Sequence, residues 1–89
     1  MQFKFTKRAR EHYEYWPSAD PAVLDKIHQL LESIEQSPFN VIGKPEPLKY
    51  ELKGFWSRRI TREHRLVYKI SGRMNSEQIC TVIQCRFHY

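Results

Sequence analysis

The side chains best suited to chemistry in this chain are one glutamate, one histidine, one tyrosine and three cations, all in its second half. They are Glu46, Lys49, Arg59, Arg65, His88 and Tyr89. RNA cleavage without a metal needs a base for the ribose 2′-OH proton and an acid for the departing 5′-oxygen. It also needs cations that stabilise the charge building on the phosphate. The six residues supply each of these groups, so RNA cleavage is the chemistry that they would suit.

The candidate base and acid lie in a proline-rich loop and at the carboxyl end of the chain. Glu46 stands between Pro45 and Pro47, which restrict the local backbone and therefore the directions that the carboxylate can take. Its proposed role is that of the general base, and the alternative is a solvated glutamate in a loop. His88 suits proton transfer because histidine ordinarily titrates at about 6.5; the alternative is a frayed chain end. Tyr89 is suited to positioning a phosphate or stacking on a nucleobase, and its alternative is a disordered end.

The three cations fall on one predicted face of a sheet. Arg65 begins a predicted strand, and its fork of donors would suit a phosphate clamp. Lys49 and Arg59 share that face. Arg65 alone is equally well explained as a surface cation, and Lys49 and Arg59 alone are better explained as solvated charges. Taken together opposite one carboxylate, they predict a basic domain with an anion site, and these residues by themselves do not establish catalysis.

The chain is short and basic, with 89 residues, a formal net charge of +5 and a pI of about 9.4. A chain of this length buries roughly 60–65% of its unfolded surface, which allows one domain, residues 1–89, and one core. The charge favours a polyanionic partner such as nucleic acid or an acidic protein segment. Charge is a weak indicator alone, because many small basic proteins bind neither.

Cysteine usage and hydropathy predict a cytoplasmic protein without metal or cofactor. Cys80 and Cys85 are five residues apart in one apparent strand, so we expect them on opposite faces and unbridged. The chain has no Cys-x-x-Cys motif and no Cys/His cluster of zinc-ligand spacing. It also has no apolar run of the ~20 residues that a membrane helix needs, and no signal-peptide core.

Periodicity predicts the elements that would position the site. In residues 2–5 polar and aromatic side chains alternate, which predicts a short strand. A helix should follow from Lys7 to Trp16, and Pro17 should end it. Asp20 and Pro21 should begin a second helix that runs to about Gln36. Strand-like alternation covers residues 48–53, 56–61 and 65–70, and residues 79–85 read as a strand buried on both faces.

This order of elements predicts an α+β fold. A short N-terminal strand precedes a two-helix hairpin, which should pack on one face of an antiparallel sheet of four to five strands. If the apolar residues of the strands point at the helices, the opposite face carries Lys49, Arg59 and Arg65.

Three motifs carry a family resemblance: Gly43–Lys49, Gly54–Tyr68 and the closing run Cys85–Tyr89. In these motifs, and in the pattern of nearly the whole chain, the sequence resembles the Txe/YoeB toxins of the RelE superfamily. The resemblance implies a RelE-like, microbial-ribonuclease-like fold. It also implies the toxin of a type II toxin–antitoxin system, a ribosome-dependent endoribonuclease that cuts messenger RNA in the A site and inhibits translation.

The resemblance also assigns roles to residues and implies partners. The family's general base falls on Glu46, its phosphate-stabilising arginine on Arg65, its general acid on His88 and its C-terminal tyrosine on Tyr89. Lys49 and Arg59 fall where the family places further basic residues near the RNA. The product would carry a 2′,3′-cyclic phosphate and a 5′-OH end, with no metal needed. A YefM/Axe-like antitoxin with an acidic C-terminal segment would bind the toxin. The toxin would contact operator DNA only through that antitoxin. Whether the toxin also forms a homodimer is left open.

Two other functions compete with this one. A non-catalytic module that binds RNA, the ribosome or an antitoxin would inhibit by occupancy, with a strong salt dependence and no cut RNA. A DNA-binding regulator ranks last, because neither helix carries a helix-turn-helix signature.

Overall fold

The computed structural model describes residues 1–37, 46–73 and 77–88, which form five strands, two α-helices and one 3₁₀ turn. The elements are β1 (Gln2–Phe5), α1 (Lys7–Ala19), α2 (Pro21–Gln36), β2 (Glu46–Pro47), the 3₁₀ turn (Tyr50–Leu52), β3 (Trp56–Arg59), β4 (Arg65–Ser71) and β5 (Ile79–Gln84). The strands form one sheet in the order β1-β5-β4-β3-β2. The α+β class and the helix pair on the sheet are therefore confirmed.

One pairing in the sheet differs from the prediction. β1 runs parallel to β5, with Gln2 opposite Ile79, while the other three pairings are antiparallel. The sheet is therefore mixed. The parallel pairing follows from connectivity, because both helices lie between β1 and the hairpins, and a parallel pair needs such a crossover.

Both helices begin at a side-chain cap. Thr6 Oγ1 accepts from the Ala9 backbone N–H at 3.2 Å, and Asp20 Oδ1 accepts from the Ala22 N–H at 3.2 Å. The prediction that Pro17 ends α1 is wrong, because the helix runs on to Ala19 with the proline inside it. Proline costs one backbone hydrogen bond, and in the last turn that loss is small enough to tolerate.

The core lies between the helices and one face of the sheet. The buried helical residues are Ala9, Trp16, Val23, Ile27, Leu30 and Ile34, and they pack against Ile60, Leu66, Tyr68, Cys80, Val82 and Cys85. The i, i+3, i+4 stripe of α2 supplies Val23, Ile27, Leu30 and Ile34, and α1 supplies Ala9 and Trp16. Among the described helices, none has the length and hydropathy to cross a membrane.

The predicted strand over residues 48–53 is wrong. β2 ends at Pro47, and after Leu48 the chain turns, with Leu52 N donating to Lys49 O at 3.2 Å and Lys53 N to Tyr50 O at 3.0 Å. The apolar alternation did not mark a buried face, because Leu48 is buried but Tyr50 is exposed. The segment is instead the tight connection between β2 and β3.

A β-bulge in β5 changes which side chains face the core. Val67 pairs with Gln84 and Tyr68 pairs with Val82, so Ile83 is an extra residue on β5. Because of this extra residue, each side chain after it points to the sheet face opposite to the one that regular alternation would give. Gln84 therefore lies on the face away from the helices.

The bulge also overturns the expectation for the two cysteines. Cys80 and Cys85 both face the helices, as free thiols in the same core cluster, and not opposite faces as their spacing predicted. Burial raises the pKa of each thiol to about 12. Neither is a nucleophile at neutral pH.

A buried guanidinium ties the end of α2 to the sheet. Arg58 is fully buried on the helix side of β3. It donates from Nη1 to Ser33 Oγ at 2.8 Å, from Nη2 to Ser37 O at 2.8 Å and from Nε to Tyr68 OH at 3.1 Å. All three nitrogens are thus satisfied, which a buried cation requires.

Candidate active site

The candidate base and the candidate phosphate clamp lie side by side on the sheet face away from the helices. Glu46 pairs with Ser57 across β2 and β3, and Arg59 pairs with Arg65 across β3 and β4. This register brings Glu46 Oε2 within 3.5 Å of Arg65 Nη2. The Glu46 side chain is 59% exposed and that of Arg65 only 10%. A ligand can therefore reach the carboxylate from solvent, whereas the guanidinium is largely buried against the sheet.

Ser57 fixes the orientation of the Arg65 guanidinium. Its hydroxyl is fully buried and accepts from Arg65 Nε at 2.8 Å. With Nε directed at Ser57 and one Nη at Glu46, the plane of the guanidinium is set. The sequence analysis assigned no role to Ser57, although its place two residues before Arg59 on the same strand face was a usable signal.

Arg59 adds a second cation directly beside Arg65. The two arginines are cross-strand partners, and like charges in such positions repel each other. Arg59 is exposed, and within residues 1–37, 46–73 and 77–88 no carboxylate pairs with it. One carboxylate beside two guanidiniums leaves an excess of positive charge, which would bind an anion such as phosphate.

His88 reaches this face through a turn that follows β5. Arg65 N donates to Phe87 O at 3.0 Å, so the backbone of the turn pairs with the first residue of β4. Gln84 Nε2 donates to Phe87 O at 3.1 Å and to His88 O at 2.9 Å. Gln84 reaches both carbonyls because the bulge places it on this face. The sequence analysis assigned no role to Gln84, although it is one of only two polar residues, with Thr81, in the apolar run of residues 79–85.

Three aromatic side chains hold the same turn from the helix side. Trp16 Nε1 donates to Cys85 O at 3.0 Å. His12 Nδ1 accepts from Cys85 N at 3.3 Å, and His64 Nδ1 accepts from Phe87 N at 2.8 Å. These contacts give both histidines a structural role. Phe87 itself adopts a left-handed φ of 69°, which the surrounding hydrogen bonds maintain.

The environment of His12 keeps its imidazole neutral. Burial lowers its pKa below the usual 6.5, and the charges of Arg8 and Arg86 lower it further, while Glu11 opposes them. A neutral ring leaves Nδ1 free to accept the Cys85 N–H. The hydrogen bond and the lowered pKa therefore support each other.

The His88 imidazole is exposed at the edge of the site. Its Nε2 lies 3.4 Å from Arg62 O in the turn between β3 and β4. A carbonyl oxygen only accepts, so in the tautomer that carries its proton on Nε2 the imidazole donates to Arg62 O. Arg62 is three residues before Arg65, so the ring lies near the start of β4, and it is open to a ligand from solvent.

Lys49 lies beside Glu46 but not on a strand face. It is exposed in the connection after β2 and lines a cleft of about 380 Å³ together with Glu46, Pro47, Leu48, Tyr50 and Leu52. The prediction that Lys49 shares a strand face with the two arginines is therefore wrong, although it does lie close to the carboxylate. Tyr89 and Pro45 lie outside the described residues.

The described part of the chain holds no cluster of three or more His, Cys, Asp or Glu side chains that would bind a metal ion. What it does assemble is an open carboxylate, an oriented guanidinium, a second cation and a nearby imidazole. Such a set can take a proton, bind an anionic group and return a proton.

Comparison with known proteins gives consistent matches over the whole chain. Residues 5–89 match the family model described as the YoeB-like toxin of bacterial type II toxin–antitoxin systems. The chain is 40% identical over 89 residues to Toxin YoeB of Escherichia coli (strain K12), covering 100% of both chains. It superposes on the YoeB/ParE toxin from Agrobacterium tumefaciens with a TM-score of 0.94, at 47% identity and 100% coverage of both chains. In the heterotetrameric YoeB–YefM toxin–antitoxin complex from Staphylococcus aureus, the matching chain gives a TM-score of 0.87 at 38% identity, covering 100% of this chain and 98% of that one.

Proposed function

This chain belongs to the YoeB-like toxin family of bacterial type II toxin–antitoxin systems, and we propose that it is a ribosome-dependent endoribonuclease that cuts messenger RNA in the A site. The observation that carries the proposal is the 3.5 Å contact between Glu46 Oε2 and Arg65 Nη2, with Arg65 Nε bound to Ser57. A base and an oriented phosphate clamp at this separation would contact the 2′-OH and the adjacent phosphate of one nucleotide.

The proposed reaction needs no group beyond the side chains of this chain. Glu46 takes the proton of the ribose 2′-OH, and that oxygen attacks the adjacent phosphorus. Arg65 and Arg59 stabilise the negative charge on the phosphate oxygens as it builds. His88, as the doubly protonated imidazolium, gives its Nε2 proton to the departing 5′-oxygen and becomes neutral imidazole as the P–O5′ bond breaks. The products are a 2′,3′-cyclic phosphate and a 5′-OH end, and Tyr89 would position the phosphate.

The ribosome would supply the alignment that this small open site lacks. In-line attack requires the 2′-oxygen, the phosphorus and the leaving oxygen to lie nearly on one line. Single-stranded RNA rarely adopts that geometry in solution, and a bound A-site codon can be held in it. We therefore expect cleavage of free RNA to be weak.

The proposed regulator is a YefM-like antitoxin. The Staphylococcus aureus relative is described as a heterotetrameric YoeB–YefM complex, which supports an antitoxin partner for this chain. An acidic, initially disordered C-terminal antitoxin segment would bind the basic face and cover the turn that carries His88. Operator DNA would be contacted only through the antitoxin, and a homodimer is a further assembly to test.

Primer extension on messenger RNA from a reconstituted translation reaction tests the proposal. Wild-type protein should produce discrete new 5′ ends at A-site codons. Glu46→Gln and His88→Ala should each reduce cleavage by at least ~10²-fold, because each removes one proton-transfer group. Cleavage that persists in both variants would contradict the assignment. Translation arrest with intact message would assign inhibition by occupancy instead.

A further inference from the structure

An exposed aromatic residue lies in the cleft next to the proposed base, and neither the fold nor the reaction above uses it. The Tyr50 side chain is 92% exposed, the largest fraction among the exposed large hydrophobic residues that the structure describes. It lies four residues after Glu46. An aromatic ring left in water at this position contributes nothing to the core.

The backbone that presents Tyr50 is both strained and firmly held. Its φ is 58°, in the left-handed region that bulky residues rarely adopt. Tyr50 O accepts from Lys53 N at 3.0 Å, and the turn is closed on both sides by hydrogen bonds from Leu52 N to Lys49 O and from Leu48 N to Phe55 O. Tyr50 therefore lies in a turn of the β2–β3 connection whose backbone is fixed by hydrogen bonds. Strain that is maintained in this way concentrates at functional sites.

The other walls of the cleft match a nucleotide. Glu46 and Lys49 line it together with Pro47, Leu48, Tyr50 and Leu52. The aromatic ring offers a face on which a nucleobase stacks, and the ammonium group of Lys49 offers a contact for a flanking phosphate. Glu46, which carries the proposed base, lines the same cleft.

We propose that Tyr50 is a base-stacking residue, on which the nucleobase next to the scissile phosphate of the messenger RNA rests while Lys49 binds a flanking phosphate. This inference rests on the proposed function, since it names the part of the substrate that occupies the cleft. Stacking accepts every base, so Tyr50 contributes affinity and position more than sequence preference.

Three substitutions separate stacking from folding. Tyr50→Phe keeps the ring, Tyr50→Ala removes it, and Tyr50→Asn removes it while favouring the left-handed backbone that asparagine tolerates. Tyr50→Asn should therefore resist urea at least as well as wild type. In single-turnover cleavage on programmed ribosomes, Tyr50→Phe should stay within about twofold of wild type. Tyr50→Ala and Tyr50→Asn should raise the half-saturating toxin concentration by roughly 5- to 150-fold.

A binding measurement makes the test independent of cleavage. Messenger RNA with 2-aminopurine in the A-site codon is bound to ribosomes, and Glu46→Gln protein is added with or without a Tyr50 substitution. Stacking on Tyr50 should quench the 2-aminopurine fluorescence, Tyr50→Phe should preserve the quenching, and Tyr50→Asn should abolish it. Quenching in the absence of wild-type cleavage would support the stacking and contradict the proposed reaction.

The proposal is overturned if Tyr50→Asn cleaves as wild type does while Glu46→Gln is inactive. It is also overturned if Tyr50→Asn weakens ribosome binding but leaves the quenching unchanged, since the ring would then contact ribosomal RNA. If Tyr50→Asn weakens only the affinity for an antitoxin segment, the cleft belongs to the antitoxin interface and the stacking role is wrong.

Discussion

At the residue scale, the orientation of one guanidinium determines what the site can bind. The contact with Glu46 orients Arg65 only weakly, because at 3.5 Å it is long and the Glu46 side chain is 59% exposed. The buried Ser57 hydroxyl restricts the rotation by accepting from Nε at 2.8 Å. The serine thus acts through the arginine and never needs to touch the substrate.

Ser57→Ala should lower cleavage without unfolding the protein. Alanine nearly preserves the buried volume, and we expect the free energy of unfolding to fall by about 1–2 kcal/mol for the lost hydrogen bond. The less restricted guanidinium should reduce the cleavage rate by roughly tenfold, measured by single-turnover kinetics on programmed ribosomes. Ser57→Thr keeps the acceptor and is the matched control. An unchanged rate in Ser57→Ala would mean that the other contacts of Arg65 orient it without the serine.

The lowered pKa of His12 predicts a loss of stability in acid. Above the ordinary histidine pKa of about 6.5 the residue is neutral in both states, and its contribution to stability is complete. As the pH falls below that value the unfolded chain takes up a proton that the folded protein resists, so stability decreases until the folded pKa is passed.

Urea unfolding at pH 7.5 and pH 5.5 checks the His12 prediction. His12→Asn keeps an acceptor near the position of Nδ1 and does not titrate. The loss of stability between the two pH values should be smaller in this variant than in wild type. Equal losses in the two proteins would mean that His12 is not the source of the acid sensitivity.

At the element scale, the end of β5 connects the fold to the site. The bulge at Ile83 turns Gln84 away from the core, and Gln84 then binds the carbonyls of Phe87 and His88. From the helix side, Trp16, His12 and His64 bind the same turn. The turn that carries His88 is therefore fixed by both layers of the protein.

Gln84→Met should impair the step that depends on His88. Methionine has similar length and fills the same space, but it has no donor for the two carbonyls. We expect cleavage to slow by roughly 10- to 100-fold, because a small displacement of a proton donor is costly. In a His88→Ala background the same change should alter the residual rate by less than about twofold. A full additional loss in that background would show that Gln84 acts on another part of the site.

The elements that could be predicted from the sequence are those with local signals. The Asp20 cap and Pro21 mark the start of α2, and alternation placed Arg59 and Arg65 on one face, as the register confirms. The bulge at Ile83 had no local signal, because it is set by pairing with β4. The apolar and polar residues around Tyr50 alternate as in a strand, but the chain makes a 3₁₀ turn there.

The candidate site was predictable to a similar degree. Glu46 and Arg65 were expected to be close, and their side chains do contact each other. Ser57 and Gln84 were missed because buried hydrogen-bond partners depend on tertiary packing, which one sequence does not display. The catalytic roles of Glu46, Arg65, His88 and Tyr89 stay predictions until cleavage is measured.

At the scale of the whole molecule, one buried cation joins the helical layer to the sheet. Arg58 contacts α2 through Ser33, the residue after α2 through Ser37 and β4 through Tyr68. Burial raises the pKa of Tyr68, although its hydrogen bond from Arg58 acts in the opposite direction, so the phenol stays neutral beside the guanidinium.

Arg58→Ala should destabilise the whole fold. It leaves three buried acceptors without a donor and creates a cavity, so we expect the free energy of unfolding to fall by about 3 kcal/mol or more. The neighbouring Arg59→Ala is the matched control, because that side chain is exposed and its removal should change stability by no more than ~0.5 kcal/mol. Urea unfolding followed by circular dichroism measures both. Similar stability for the two variants would mean that water replaces the Arg58 contacts.

The pairing of β1 with β5 has a consequence for when the protein becomes active. The first strand to be synthesised finds its described partner, Ile79–Gln84, only after nearly all of the chain has been made. The hydrogen bonds of Trp16 and His12 to Cys85 likewise form late, because Cys85 follows them by 69 and 73 residues. A nascent chain that lacks residues 79–88 has neither the pairing of β1 with β5 nor a placed His88. Under the proposed function, the order of synthesis itself keeps each new copy inert until residues 79–88 have been made and have folded.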